Sequence, residues 1–122
     1  MTKKILIADD EEVVQKTISR GLAKQPFTFV FASDGLEAIE KAQQETPDLI
    51  LLDINMPHKD GREVIQDLRK NNLTKNIPVI MLTGLGEMMD KIAGFELGAD
   101  DYITKPFDLT ILLKRIQTIF NR

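Results

Sequence analysis

Residues 49–53 read Leu49-Ile50-Leu51-Leu52-Asp53, four apolar side chains in a row and then a carboxylate. A run that is apolar at every position, rather than at alternate ones, suits a strand covered on both faces, as in a parallel sheet. Working outward, runs of similar character occupy residues 5–8, 27–32, 79–82 and, more briefly, 102–103. Between them apolar residues return at helical spacing. Leu36, Ile39 and Ala42 share one expected face, Val64 or Ile65 joins Leu68 on another, and Leu109, Leu112, Leu113, Ile116 and Phe120 form a third.

The punctuation supports the same division. Ser33 or Asp34 can cap the second helix, Pro47 stops it, Pro78 opens the fourth strand, and Asp108 can cap the last helix. Five strands alternating with five helices, joined by short connections, predict an α/β fold with helices on both faces of a parallel sheet. The flavodoxin-like doubly wound order 2-1-3-4-5 fits five such units, with residues 1–122 as a single domain.

Composition narrows the function classes. The chain has 122 residues, 43% hydrophobic and 29% charged, the balance of a folded domain rather than a disordered one. No apolar run approaches the ~18 residues of a membrane helix and the first residues do not resemble a signal peptide, so the expected location is cytoplasmic and no membrane partner is expected. The absence of cysteine excludes disulfides and thiolate metal sites, and one histidine, His58, excludes a multi-histidine zinc site. Lys and Arg number 16 against 19 Asp and Glu, without the basic excess of a nucleic-acid surface.

In a doubly wound sheet, ligands bind beyond the carboxyl ends of the strands. Strand one delivers Asp9 and Asp10 there, strand three Asp53, strand four Thr83, and strand five Lys105 followed by Pro106. Two unit charges ~5 Å apart repel by about 3 kcal/mol at an effective dielectric of ~20, so three clustered carboxylates would cost on the order of 10 kcal/mol. Lys105 offsets part of this, and a divalent cation would balance the rest. With only hard oxygen donors available, that cation would be Mg²⁺, for which Mn²⁺ can substitute. Such a site beside an ionised carboxylate suits acyl-phosphate formation, with Thr83 and Lys105 each free to take a phosphoryl oxygen.

Four motifs in register carry a resemblance. They are the acid pair in Ile7-Ala8-Asp9-Asp10, the run Leu51-Leu52-Asp53-Ile54-Asn55-Met56-Pro57 with Asp60-Gly61, the step Leu82-Thr83-Gly84, and Gly98-Ala99-Asp100-Asp101-Tyr102-Ile103-Thr104-Lys105-Pro106-Phe107. Together, over essentially the whole chain, they resemble the receiver domain of two-component response regulators, of the chemotaxis-regulator type. The resemblance implies that Asp53 is the phosphoacceptor. It implies that Asp10 binds Mg²⁺ directly, Asp9 through a bound water, and Asn55 through its backbone carbonyl. It makes Thr83 and Lys105 the phosphoryl contacts, Lys105-Pro106 a cis peptide, and Thr83 with Tyr102 the switch pair that reads phosphorylation. Asn55 and Leu85 would tune the lifetime of the acyl phosphate.

The implied partners are a sensor histidine kinase or phosphotransfer protein, and a target protein or fused output domain. A homodimer through the fourth helix, fifth strand and fifth helix would be a further mode. Met88 and Met89, with Ile111 out of phase on the last helix, would lie on that face. The segment itself would bind no nucleic acid and would be a signalling domain rather than an enzyme.

Plainer readings stand beside these. Asp10 before Glu11-Glu12 also reads as a helix cap, Thr83 as a turn hydroxyl, Lys105 as a solvated lysine and Tyr102 as core edge. Gly61 is expected to be structural, allowing a positive φ or a close approach, and His58 a solvent-facing loop residue. Two other functions remain open. One is a Mg²⁺-dependent phosphohydrolase working through an aspartyl phosphate, although haloacid-dehalogenase-like enzymes put their nucleophile after the first strand. The other is a degenerate receiver that only docks.

Overall fold

The computed structural model describes residues 2–84 and 98–122. Within these, five strands, β1 (Lys3–Ala8), β2 (Phe27–Ala32), β3 (Leu49–Asp53), β4 (Val79–Thr83) and β5 (Asp101–Thr104), form one sheet in the order β2-β1-β3-β4-β5. Every pairing is parallel, as the flavodoxin-like expectation required. Four helices are described: α1 (Glu12–Gly21), α2 (Gly35–Glu45), α3 (Gly61–Lys70) and α4 (Leu109–Phe120). The expected helix between β4 and β5, with Leu85, Met88 and Met89, lies outside the described residues.

Side chains alternate across the strands and divide the core in two. Leu6, Ala8, Ile50, Leu52, Val79 and Met81 face α2 and α3, where Ala38, Ala42, Val64, Ile65 and Leu68 meet them. Ile5, Ile7, Leu49, Leu51, Ile80 and Leu82 face α1 and α4, against Ile18, Leu22, Leu112 and Ile116. β3 is buried at all five positions because it has a neighbour on each side and helices on both faces, which explains its unbroken apolar run. Each such Leu or Ile contributes about 1.5–3 kcal/mol by burial, so the centre of the sheet is the rigid support on which the strand ends are carried.

The caps follow from local chemistry. Asp34 accepts from the Glu37 N–H, Asp60 from those of Arg62 and Glu63, and Asp108 from that of Thr110. Of the two expected caps for α2, Asp34 therefore serves, and Thr46 in the left-handed region (φ 39°) ends the helix just before Pro47. One expected stripe is corrected. Leu36 is 52% exposed, and α2 turns Gly35, Ala38 and Ala42 inward, with Ile39 only partly covered. The cause is a close approach at Gly35, where a Cβ would stand 2.1 Å from the Lys59 carbonyl oxygen; only a glycine can face that way, and Leu36 is carried about 100° round the helix.

Candidate phosphoacceptor and metal site

The strand ends converge at one edge of the sheet. Asp53 closes β3 and Thr83 closes β4, while Asp9 and Asp10 follow β1 directly and Lys105 follows β5. One carboxylate oxygen from each of Asp9, Asp10 and Asp53 lies within 4.8 Å of the others. Asp9 is fully buried, Asp53 is 5% exposed, and Asp10 faces solvent. The Asp10 side chain makes no N-terminal cap for α1, whose cap position is Glu11. The cap reading of Asp10 therefore falls away.

Asp9 is held from several directions. Its Oδ1 accepts the Glu11 N–H at 2.9 Å and its Oδ2 accepts from Lys105 Nζ at 2.8 Å. Its own N–H donates to the Ala32 carbonyl at 3.0 Å. Lys105 Nζ also stands 3.6 Å from Asp53 Oδ2 and 3.9 Å from Glu11 Oε1, so one ammonium serves three carboxylates. The lysine is not the solvated surface residue of the plainer reading. Burial alone would lower its pKa, but the hydrogen bond to Asp9 and the charges of Asp53, Asp9 and Glu11 outweigh that and raise it.

Asp53 shows the opposite balance. Burial pushes its carboxyl upward, the Asp9 charge adds to this, and Asp10 contributes a smaller push. Lys105 and the Asn55 backbone N–H, 3.3 Å from Oδ1, pull the other way, and the net result is a pKa of about 6. Opposing charge is thus in short supply at the site. The donor set, three carboxylates with open solvent access through Asp10, fits a hard divalent cation of the Mg²⁺ type.

The loop after Asp53 is pinned from below. Gly61 N–H donates to the Ile54 carbonyl at 2.7 Å. A Cβ on Gly61 would lie 2.8 Å from Ile54 Cα and 2.9 Å from the Asp53 carbonyl oxygen, so of the two expected reasons for glycine the close approach is the operative one. His58 is exposed as expected and takes a left-handed backbone, φ 71°. Asn55 is exposed beside Asp53.

Thr83 is 1% exposed and its carbonyl accepts the Lys105 N–H, which joins the ends of β4 and β5. The Lys105-Pro106 peptide is cis. Tyr102 is 5% exposed and packs in the core cluster on the α2/α3 side. Its register partner is Met81, two residues before Thr83, so Thr83 and Tyr102 stand diagonally on one face of the sheet. Ile111 is 50% exposed, as its phase on α4 implied.

Three residues near the acids went unread in the sequence. Glu11 reaches Lys105, Gly35 seats the β3–α3 loop through Lys59, and Gln15 is buried with its amide on the Asp9 carbonyl. Gln15 had a legible signal: with Ile18 and Leu22 it falls on the inward stripe of α1, where a polar residue needs partners.

Comparison with known proteins agrees with this geometry. The chain is 45% identical over 122 residues to the alkaline phosphatase synthesis transcriptional regulatory protein PhoP of Bacillus subtilis, covering 100% of this chain and 50% of that protein. It is 44% identical over 119 residues to the DNA-binding dual master transcriptional regulator RpaA of Synechocystis, covering 98% and 49%. The chain thus spans about half the length of the curated relatives it matches. A putative response regulator from Chloroflexus aurantiacus superposes with a TM-score of 0.94 at 34% identity over 100% of both chains. The receiver domain of a sensor histidine kinase from Pseudomonas aeruginosa, with a magnesium ion coordinated in its active site cleft, gives 0.91 at 26% identity over 100% of both. Residues 5–117 match the response regulator receiver domain, and the chain belongs to that family.

Proposed function

We propose that this chain is a phosphorylation switch in which Asp53 accepts a phosphoryl group from a phosphohistidine of a sensor kinase or phosphotransfer protein, or from a small acyl phosphate. The observation that carries the reading is the convergence of Asp9, Asp10 and Asp53 oxygens within 4.8 Å, with Lys105 Nζ reaching two of the three acids. An Asp53 carboxylate oxygen attacks phosphorus. The bond from phosphorus to the donor nitrogen or oxygen breaks, and its electron pair leaves with the imidazole or carboxylate. The ionised form is the nucleophile, so a pKa of about 6 leaves Asp53 mostly competent at neutral pH.

Asp10 and Asp53 are the residues that would hold Mg²⁺ directly, with Asp9 acting through water and Asn55 through its carbonyl; Mn²⁺ would suit the same oxygens. When bound, the ion supplies positive charge for the phosphoryl oxygens. Lys105 exchanges its carboxylate partners for a phosphoryl oxygen, and the Thr83 hydroxyl donates to another. Tyr102, on the same face, follows Thr83 and alters the surface around β5 and α4. Pro106 and Gly61 hold the flanking loops.

A groove of about 380 Å³ beside Lys105, lined by Glu11, Val14, Thr17, Pro106 and Phe107, supports donor docking against α1. Residues 1–122 act as one receiver unit. It controls a target protein or an attached output domain, with pairing of two copies through β5 and α4 as a further mode, and binds no nucleic acid itself. A cytoplasmic setting accords with such partners; no helix among the described residues is long and apolar enough to cross a membrane.

Incubation with radiolabelled acetyl phosphate and Mg²⁺ tests the reading. One equivalent of base-labile label is expected on the chain and none on Asp53→Asn. Equal labelling of that variant would overturn the assignment, and sustained turnover of phosphate esters would favour a phosphohydrolase.

A further inference from the structure

Gln15 is a polar side chain on the inward stripe of α1, only 9% exposed, and no step of phosphoryl transfer uses it. Its amide nitrogen donates to the Asp9 carbonyl at 2.7 Å, and lies 3.3 Å from the Ala32 carbonyl and 3.4 Å from Ser33 Oγ. Because Asp9 and Ala32 both present carbonyl oxygens, which only accept, the group facing them must be the NH₂. The Asp9 carbonyl belongs to the planar peptide joining Asp9 to Asp10. Holding that oxygen fixes the plane between the two acids, and with it the directions in which their side chains leave the backbone. Ala32 ends β2 and Ser33 follows it, so the same amide anchors the acid pair to the edge strand.

We propose that Gln15 is a positioning residue for the metal pair, setting the Asp9–Asp10 peptide so that both carboxylates converge on Asp53. The inference rests on the magnesium reading above. Asp9 Oδ1 and Oδ2 are already held by the Glu11 N–H and by Lys105, whereas Asp10 is exposed and shares with Asp9 the peptide whose carbonyl Gln15 holds. Loss of the Gln15 amide therefore acts on cation binding rather than on the nucleophile. Partners that orient ligands from behind commonly change metal affinity by about 10–100-fold.

The test compares the parent with Gln15→Met and Gln15→Leu, which keep an apolar-compatible volume but lack the donor. Thr74→Val serves as a stability control, since the buried Thr74 hydroxyl donates to the Leu68 carbonyl at 2.7 Å, at the far end of α3 from the acids. Mg²⁺ affinity is measured by calorimetric titration of the unphosphorylated chain, together with the melting temperature in EDTA. The expected result is a Kd for Mg²⁺ raised about 10-fold or more in either Gln15 variant. Thr74→Val should melt lower with its Kd unchanged, and Asp53 labelling of the Gln15 variants should recover at saturating Mg²⁺. Gln15 variants that melt lower yet bind Mg²⁺ as tightly as the parent would overturn the positioning role alone. A parent that binds no Mg²⁺ would overturn the metal reading and this inference with it. Should one variant not fold, the other carries the comparison.

Discussion

Lys105 Nζ and Asp9 Oδ2 form an ion pair of 2.8 Å between residues 96 positions apart, and Asp9 is fully buried. The pair closes the sheet edge at which the other acids gather. It also sets the balance of charge on which the Lys105, Asp53 and Asp10 outcomes below depend.

Removing the ammonium leaves Asp9 and Asp53 facing each other without a counter-charge. Lys105→Met is expected to lower stability at pH 7.5 in EDTA by about 1–3 kcal/mol, less than the loss for a wholly enclosed pair because Lys105 keeps some solvent. Thermal melts in EDTA and in Mg²⁺ check this. Mg²⁺ should restore part of the loss, and an unchanged melting point in EDTA would show that solvent already screens the acids.

Asp53 makes stability depend on pH with a definite sign. Its folded pKa of about 6 lies above the ordinary 3.8, so between those values the folded state binds the extra proton. Asp53 therefore costs stability above pH ~6, and the cost fades as pH falls toward ~4. Without divalent ions, Asp53→Asn should be more stable than the parent at pH 7.5 by at most about 3 kcal/mol, and equal to it near pH 4. Urea melts across that range give the difference directly. A constant difference would place the shift elsewhere.

Asp10 is exposed and supports no element, so its loss should separate binding from folding. Asp10→Asn is expected to leave the melting temperature in EDTA unchanged or slightly raised, through relief of repulsion. The gain on adding millimolar Mg²⁺, about 1.4 kcal/mol where the ion is at ten times its Kd, should largely vanish. A variant that keeps the full gain would remove Asp10 from the ligand set.

Gly61 has no room for a side chain under Asp53. Gly61→Ala should destabilise the fold by about 1–3 kcal/mol and slow acetyl-phosphate labelling, since the methyl group must push against the Ile54 and Asp53 backbone. Labelling at the parent rate despite lower stability would mean that the loop moves without carrying Asp53 along.

Much of this was legible in one dimension because burial leaves a periodic trace. The apolar run at residues 49–52 marked a central strand, and the caps at Asp34 and Asp108 marked helix starts, since each needs only local backbone geometry. The stripe of α2 was misread at Leu36 for a non-local reason. Gly35 must face the Lys59 carbonyl from another loop, and nothing near Gly35 in sequence reports that contact. Gln15 was passed over for a similar reason: its partners lie just past β1 and at the end of β2, not on its own helix.

The order of strands and the identity of the acids were determined by the sequence, because alternating buried runs allow few sheets and the carboxylates follow those runs directly. Tertiary structure alone decided how the acids behave. Asp53 is raised to about 6 because burial and Asp9 outweigh Lys105, and that balance depends on distances and solvent exclusion. Chain order brings the charges to the same edge, but only packing sets how close they come and how much water remains between them.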